Sequence, residues 1–541
     1  MKLHRILPIL VCLASAQPLH AEQPKLVVAI LVDQFRYDYL ERFHSQFVED
    51  GFRRLTDHGA FLTFARYDYC PTLTGPGHAS FLSGSTPSVH GIIANDWFDK
   101  ATGKSMYCCQ DNSVQGVGSN DAAGQMSPRN FIGSTLADQM RLHFKSKVVG
   151  LSIKDRGAIL PAGKQPTGAY WFESGSGKFI TSTYYRQELP EWVVKFNALE
   201  KPRSYIGKTW DRLLEPNAYE REDFLPGEGV LHGEQSPTFP HTVATSKKEG
   251  FETIIPTPFG NELLADFAKA AIEGEKLGQG PNPDLLTVSF SSIDYVGHRF
   301  GPYSQEVQDM ALRLDRQLAD FFAYLDQKIG KSNTLVVLTA DHGVAPTPEF
   351  ANQQGLDAPR TDEVELMSDL LGKLNERFGD GAYLTQRKLI NGHLYLNHET
   401  LRSKQLTPAT VAGFIREWAL ATGKFHAVFT RDELLAGQAP GFVGRLVLNG
   451  YNAERSGDVV LVYKPYILSG KGATASGTTH GSPFSYDTHI PVLFHGSQIR
   501  EGRYPDEFYI TDIVPTISSL LRIDVPAGNM GKPFGKILLA P

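Results

Sequence analysis

Three aspartates and three histidines stand where alternating strands and helices could gather them into one site. Asp33 ends the apolar run VVAILVD. Asp294 ends LLTVSFSSID, and His298 follows four residues later in DYVGH. Asp341 and His342 lie in TLVVLTADHG, and His480 lies in the Gly-rich loop SGTTHGSPFSYDTH, just before IPVLFHG. Imidazole and carboxylate together suit Zn²⁺ without any thiolate. Six such ligands are enough for two metals at three each, with positions left open for substrate. The loop CPTLTGPGH places Thr74 at the start of a helix-compatible run, where backbone N–H groups and the helix dipole favour an anion. Beside a metal, its hydroxyl can ionise near neutral pH and attack as an alkoxide. The segment SIKDRGAILPAG adds Lys154 and Arg156, which alternation along an extended segment puts on one side. Two cations on one side can hold an anion beside the metals, arginine as a bidentate fork.

These residues need elements to position them. Short β-branched, apolar runs read as buried parallel strands: 26–32, 148–153, 285–292, 334–338, 459–462 and 490–494. Helical spacing is clearest over 305–329, where Met310, Leu314, Leu318, Phe321, Phe322 and Leu325 recur, and again over 510–521. Strands alternating with helices predict an α/β fold, a doubly wound and mostly parallel sheet flanked by helices. In such sheets ligands bind beyond the carboxyl ends of the strands, where the candidate ligands stand. Two stretches break the alternation, at about 157–260 and 345–475. The second carries a hairpin-like run (384–396) and a helix-like run (409–420), and both stretches read as insertions near the site.

Composition narrows the class further. A 541-residue chain with 41% hydrophobic and 21% charged residues is neither disordered nor fibrous. With 53 basic against 59 acidic residues, no basic excess argues for nucleic acid or an anionic membrane as a specific partner. Residues 1–21 (MKLHRILPILVCLASAQPLHA) have a basic start, a short apolar core and small residues at the end, the pattern of a cleaved signal peptide. The mature protein is therefore expected to be periplasmic or secreted, with no membrane span. Export would put Cys70, Cys108 and Cys109 in an oxidising compartment, and a bridge from Cys70 to Cys108 or Cys109 is the expectation. Length alone suggests several domains. The ligands nevertheless run from Asp33 to His480, so 22–541 is expected to form one catalytic domain with insertions.

In this order, Asp33, the PTLTGPGH loop, DYVGH, ADHG and THG resemble the alkaline phosphatase superfamily across nearly the whole mature chain. Carried over by motif, the resemblance implies one zinc on Asp294, His298 and His480. A second zinc would sit on Asp33, Asp341 and His342, beside a nucleophilic Thr74. Sulfatases of that fold use C/S-x-P-x-R, and no arginine follows Cys70 at that place. Phosphoglycerate mutases use serine and are cytosolic. Nucleotide pyrophosphatase/phosphodiesterases use a threonine in a similar loop, which leaves a phosphodiesterase as the alternative. KDRGAILPAG, together with Asn95 in GIIANDWFD, resembles the PafA-type phosphate-irrepressible alkaline phosphatases. The implied enzyme is a monomeric two-zinc phosphomonoesterase of broad specificity for small phosphate monoesters. Lys154, Arg156 and Asn95 would contact the phosphoryl oxygens, and a phosphothreonine would form on Thr74. Charge agrees: three carboxylates and an alkoxide balance two Zn²⁺, and Lys154 and Arg156 match the dianion of a phosphate monoester.

Overall fold

The computed structural model describes residues 23–119, 122–244, 250–470 and 475–539. The expected signal peptide lies outside the described residues. A ten-stranded sheet organises the rest. Its strands are β1 (Leu26–Val32), β2 (Ala60–Arg66), β3 (Gly116–Val117), β4 (Val148–Ser152), β5 (Gly168–Glu173), β6 (Lys178–Ser182), β7 (Asp284–Phe290), β8 (Thr334–Thr339), β9 (Val492–His495) and β10 (Gly502–Tyr509), in the order β10-β2-β9-β8-β1-β7-β4-β5-β6-β3. The run β8-β1-β7-β4-β5 is parallel throughout. Every residue of β1, β4, β7 and β8 is buried, as expected for strands covered on both faces.

Alternation along β5 shows the two covering layers. Tyr170 packs against Trp192 of the helix Glu191–Ala198 and Phe267 of the helix Pro258–Glu275. Trp171 points the other way, into a cluster with Ala158 and Ile159 of the helix Asp155–Ala162. The aromatic run 170–172 is thus core packing. The long helix Gln305–Lys328 starts where the Ser304 hydroxyl accepts the Val307 N–H, and it buries the predicted apolar stripe.

Two expectations about strands change. Residues 490–494 were expected to form a parallel strand, but β9 pairs antiparallel with both β8 and β2. The chain enters β9 from the His480 loop at the carboxyl edge of the parallel strands, so it has to run back down the sheet. Val459–Tyr463 lies outside the main sheet. It is the middle strand of a three-stranded sheet with His393–Leu394 and Phe425–Thr430. That sheet and the helices Glu363–Phe378 and Pro408–Ala421 enclose a separate core containing Leu370, Leu374, Ile415, Trp418 and Leu461. The stretch 345–475 therefore holds a compact unit of its own. The stretch 157–260 divides differently. Its first part supplies β5 and β6 to the central sheet, because 168–173 and 178–182 are apolar enough to be buried there.

Candidate active site

Four neighbouring parallel strands deliver the site residues at one edge. β1 leads into Asp33, whose N–H donates to the Phe290 carbonyl of β7. β7 leads into the helix Ser292–Phe300, which carries Asp294 and His298. β8 leads into Asp341-His342, and β4 into Lys154. Thr74 begins the helix Thr74–Ser83, all ten residues of which are buried. The helix can approach closely because residue 77 is glycine: a Cβ there would sit 2.5 Å from the Asp341 carbonyl oxygen.

The six expected ligands converge. Donor atoms of Asp33, Asp341 and His342 lie within 4.8 Å of one another, as do those of Asp294, His342 and His480. His298 joins the second group through its Nε2, 3.3 Å from Asp294 Oδ1. His342 lies between the groups, with its ring stacked on His480 at 3.4 Å and its Nε2 3.5 Å from Asp33 Oδ1. The Thr74 hydroxyl is 3.4 Å from the same nitrogen.

The donor chemistry fits divalent cations. Each imidazole turns Nδ1 to a backbone carbonyl: His342 to Gly343 at 2.9 Å, His298 to Thr478 at 2.8 Å and His480 to Thr72 at 2.8 Å. A ring nitrogen facing a carbonyl carries the proton, so each Nε2 lone pair points inward. Burial holds His342 down at about 3 and His480 well below its usual range, so both rings stay neutral and able to ligate. Asp33 Oδ1 and Asp341 Oδ2 are buried with no hydrogen-bond partner. Burial, and then Asp33, push Asp341 well above the usual carboxylate range. Unpartnered buried oxygens are costly, and a cation between them removes the cost. Chelation of the zinc-loaded protein is therefore expected to lower its thermal unfolding midpoint by several degrees, reversibly on adding zinc. A midpoint indifferent to both treatments would count against metal binding here.

The cations adjoin these groups. Lys154 Nζ sits 2.7 Å from Asp33 Oδ2 and 2.5 Å from Asp294 Oδ2, and 4.9 Å from the centre of the Tyr295 ring. Burial alone would pull its ammonium down, but Asp294 and Asp33 outweigh burial and hold it up. Arg156 stands in a conformation different from the expected one. Lys154 is extended, but a helix begins at Asp155, so the two cations reach the site from a helix start and not along a strand. Arg156 Nη1 donates to Tyr107 Oη at 3.1 Å, and the Tyr107 hydroxyl donates to Asp155 Oδ1 at 2.5 Å. The Arg156 Nε is buried and uncommitted. Asn95 Oδ1 accepts the Gly75 N–H at 2.7 Å, which leaves its Nδ2 as a free donor beside Thr74.

Other residues fall outside the expected set or away from the metal groups. His78 is held by the Thr74 carbonyl and Ser289 Oγ. His489 lies apart, stacked on Tyr37. The expected disulfide does not form. Cys70 packs against Gly481, while Cys108 and Cys109 belong to another apolar cluster, and all three thiols are free. Gln34, Tyr107 and Asp487 are new. Asp487 Oδ2 accepts the N–H groups of Gly481 and Ser482, and its carbonyl accepts that of Gly343, so it ties the His480 loop to the His342 loop. No spacing pattern marks any of the three.

Comparison with known proteins places this geometry. A family model described as type I phosphodiesterase / nucleotide pyrophosphatase matches residues 27–496. The chain belongs to this family. The resemblance to PafA-type alkaline phosphatases is also borne out. Alkaline phosphatase PafA of Elizabethkingia meningoseptica is 44% identical over 95% of both chains. The crystal structure of wild-type PafA superposes at a TM-score of 0.91 with 43% identity, covering 96% of this chain and 99% of that one. A Myroides odoratus protein named calcium-transporting ATPase is 42% identical over 95% of this chain and 94% of its own. Among the described residues of this chain, no helix is long and apolar enough to cross a membrane. The murine ectonucleotide pyrophosphatase / phosphodiesterase 5 shares the fold, at a TM-score of 0.52 and 13% identity over 92% of this chain and 95% of that one. One solved PafA variant is changed at a threonine, an asparagine 21 residues later, and a lysine and arginine two residues apart. Thr74 and Asn95, and Lys154 and Arg156, repeat those types and spacings.

Proposed function

We propose that this protein is an alkaline phosphatase that hydrolyses phosphate monoesters of broad structure and releases inorganic phosphate. The observation that carries the reading is the meeting of Thr74 with two Asp/His groups and two extra cations, Lys154 and Arg156. Asp294, His298 and His480 hold one zinc, and Asp33, Asp341 and His342 the other. When bound, zinc supplies Lewis acidity, lowering the pKa of the Thr74 hydroxyl and offsetting charge on the departing oxygen. Thr74 Oγ bonds to phosphorus as the ester P–O bond breaks, and the alcohol leaves. Water then breaks the Thr74–phosphorus bond and frees phosphate. Lys154, Arg156 and the Asn95 amide hold the non-bridging oxygens, which carry two charges in a monoester and one in a diester.

Elemental analysis together with phosphate release from an aryl phosphate tests the reading. Two zincs per chain and chelator-sensitive turnover are expected, and turnover without metal would refute it. Arg156 depends on Tyr107 for its position. Tyr107→Phe removes that hydroxyl and is expected to lower kcat/KM for monoesters by about 10- to 100-fold, the loss of one hydrogen bond to a charged partner. An unchanged value would show that Arg156 is held without it.

A further inference from the structure

Gln34 lies directly after the candidate ligand Asp33 and takes an unusual backbone conformation. Its φ is +60°, a left-handed value that side chains other than glycine seldom adopt. Such strain persists where the surroundings over-determine it. Gln34 is only 1% exposed. Its backbone N–H donates to Asp341 Oδ1 at 3.0 Å, and its Nε2 donates to Asp294 Oδ1 at 2.7 Å. One residue thus holds a carboxylate from each candidate zinc group. The amide cannot turn over, because its oxygen would then face the Asp294 carboxylate. That oxygen rests without a polar partner against Gly297, one residue before His298. A Cβ on residue 297 would lie 1.9 Å from it. Gly297 has an ordinary helical backbone, so its lack of a side chain serves to leave room for this amide.

We infer that Gln34 is a positioning residue that fixes the Asp294 carboxylate through its side chain and the Asp341 carboxylate through its backbone. The inference rests on the two-zinc reading above. The backbone bond survives any substitution except proline, so loss of the side-chain amide should loosen only the zinc on Asp294, His298 and His480. Hydrogen-bond partners of metal ligands commonly carry about 10- to 100-fold in metal affinity.

The test is chelator titration of the zinc-loaded protein, counting zinc released per chain. Gln34→Met should release one zinc at about 10- to 100-fold lower chelator than the wild type, with the other zinc unchanged. Gly297→Ala should do the same by displacing the amide, which covers the case in which Gln34→Met fails to fold. Gly297→Ala should add little to Gln34→Ser, whose short side chain leaves room for the methyl group. The proposal is overturned if both single variants release zinc like the wild type, if both zincs loosen together, or if the double variant is additive. Wild-type protein that binds no zinc overturns the two-zinc reading and this proposal with it. Two tight zincs in the wild type and in both single variants overturn this proposal alone.

Discussion

Thr74→Ala is expected to lower turnover of an aryl phosphate by about 10³-fold or more while zinc remains bound at two per chain. The nucleophilic oxygen is lost, yet none of the six ligands is touched. Among the described residues, Thr74 Oγ1 is within hydrogen-bond distance of one side chain, His342 Nε2 at 3.4 Å, and that ring is independently fixed by the Gly343 carbonyl at 2.9 Å. The helix should tolerate the change, since alanine favours helices and the cap at Leu73 uses no side chain. Thr74→Ser should restore part of the rate, because it keeps the oxygen and drops only a methyl group. A Thr74→Ala variant that turned over at the wild-type rate would place the nucleophile elsewhere. One that lost its zinc as well would show that Thr74 acts structurally.

Arg156→Ala is expected to cost about 10²- to 10³-fold in kcat/KM for a monoester, and at least about tenfold less for the matching diester. The reason is charge. A buried fork of donors contributes most where the oxygen it holds carries the most charge, and a diester carries one charge fewer. Arg156 offers such a fork: Nη1 is engaged by Tyr107, and Nε is buried without a partner. Lys154→Ala should lower the monoester rate too, but it also removes the cation between Asp33 and Asp294. Arg156 is therefore the cleaner probe. Equal losses on the two substrates would mean that Arg156 supports the fold of the site and not the second charge of the substrate.

Much of this site was legible in the sequence because Asp33, Asp294 and Asp341-His342 follow strands that their own residues announce. VVAIL, LLTVSF and TLVVL are buried apolar runs, and the first polar residues beyond them had to emerge at one edge of a parallel sheet. Thr74 was legible from the Pro and Gly around it and the helix after it. Lys154 and Arg156 were legible as residue types but not in conformation. A helix begins at Asp155, whose side chain accepts the Arg156 N–H, a local arrangement that alternation does not reveal. The direction of β9 was hidden because a strand's sequence does not say which end of the sheet it enters. Cysteine count and compartment suggested a bridge, but distance decides, and Cys70 packs in a different cluster from Cys108 and Cys109. Gln34 and Asp487 act through hydrogen bonds to residues about 150 to 300 positions away or to loops that exist only once folded.

The central claim is that two cations beyond the metal groups set this site for a phosphate dianion. The most direct test compares kcat/KM for an aryl phosphate and its methyl diester on one zinc-loaded preparation. A preference for the monoester of about 10²-fold or more is predicted, in line with one extra charged oxygen held by Arg156 and Lys154. Equal rates, or a preference for the diester, would contradict the account and favour a phosphodiesterase.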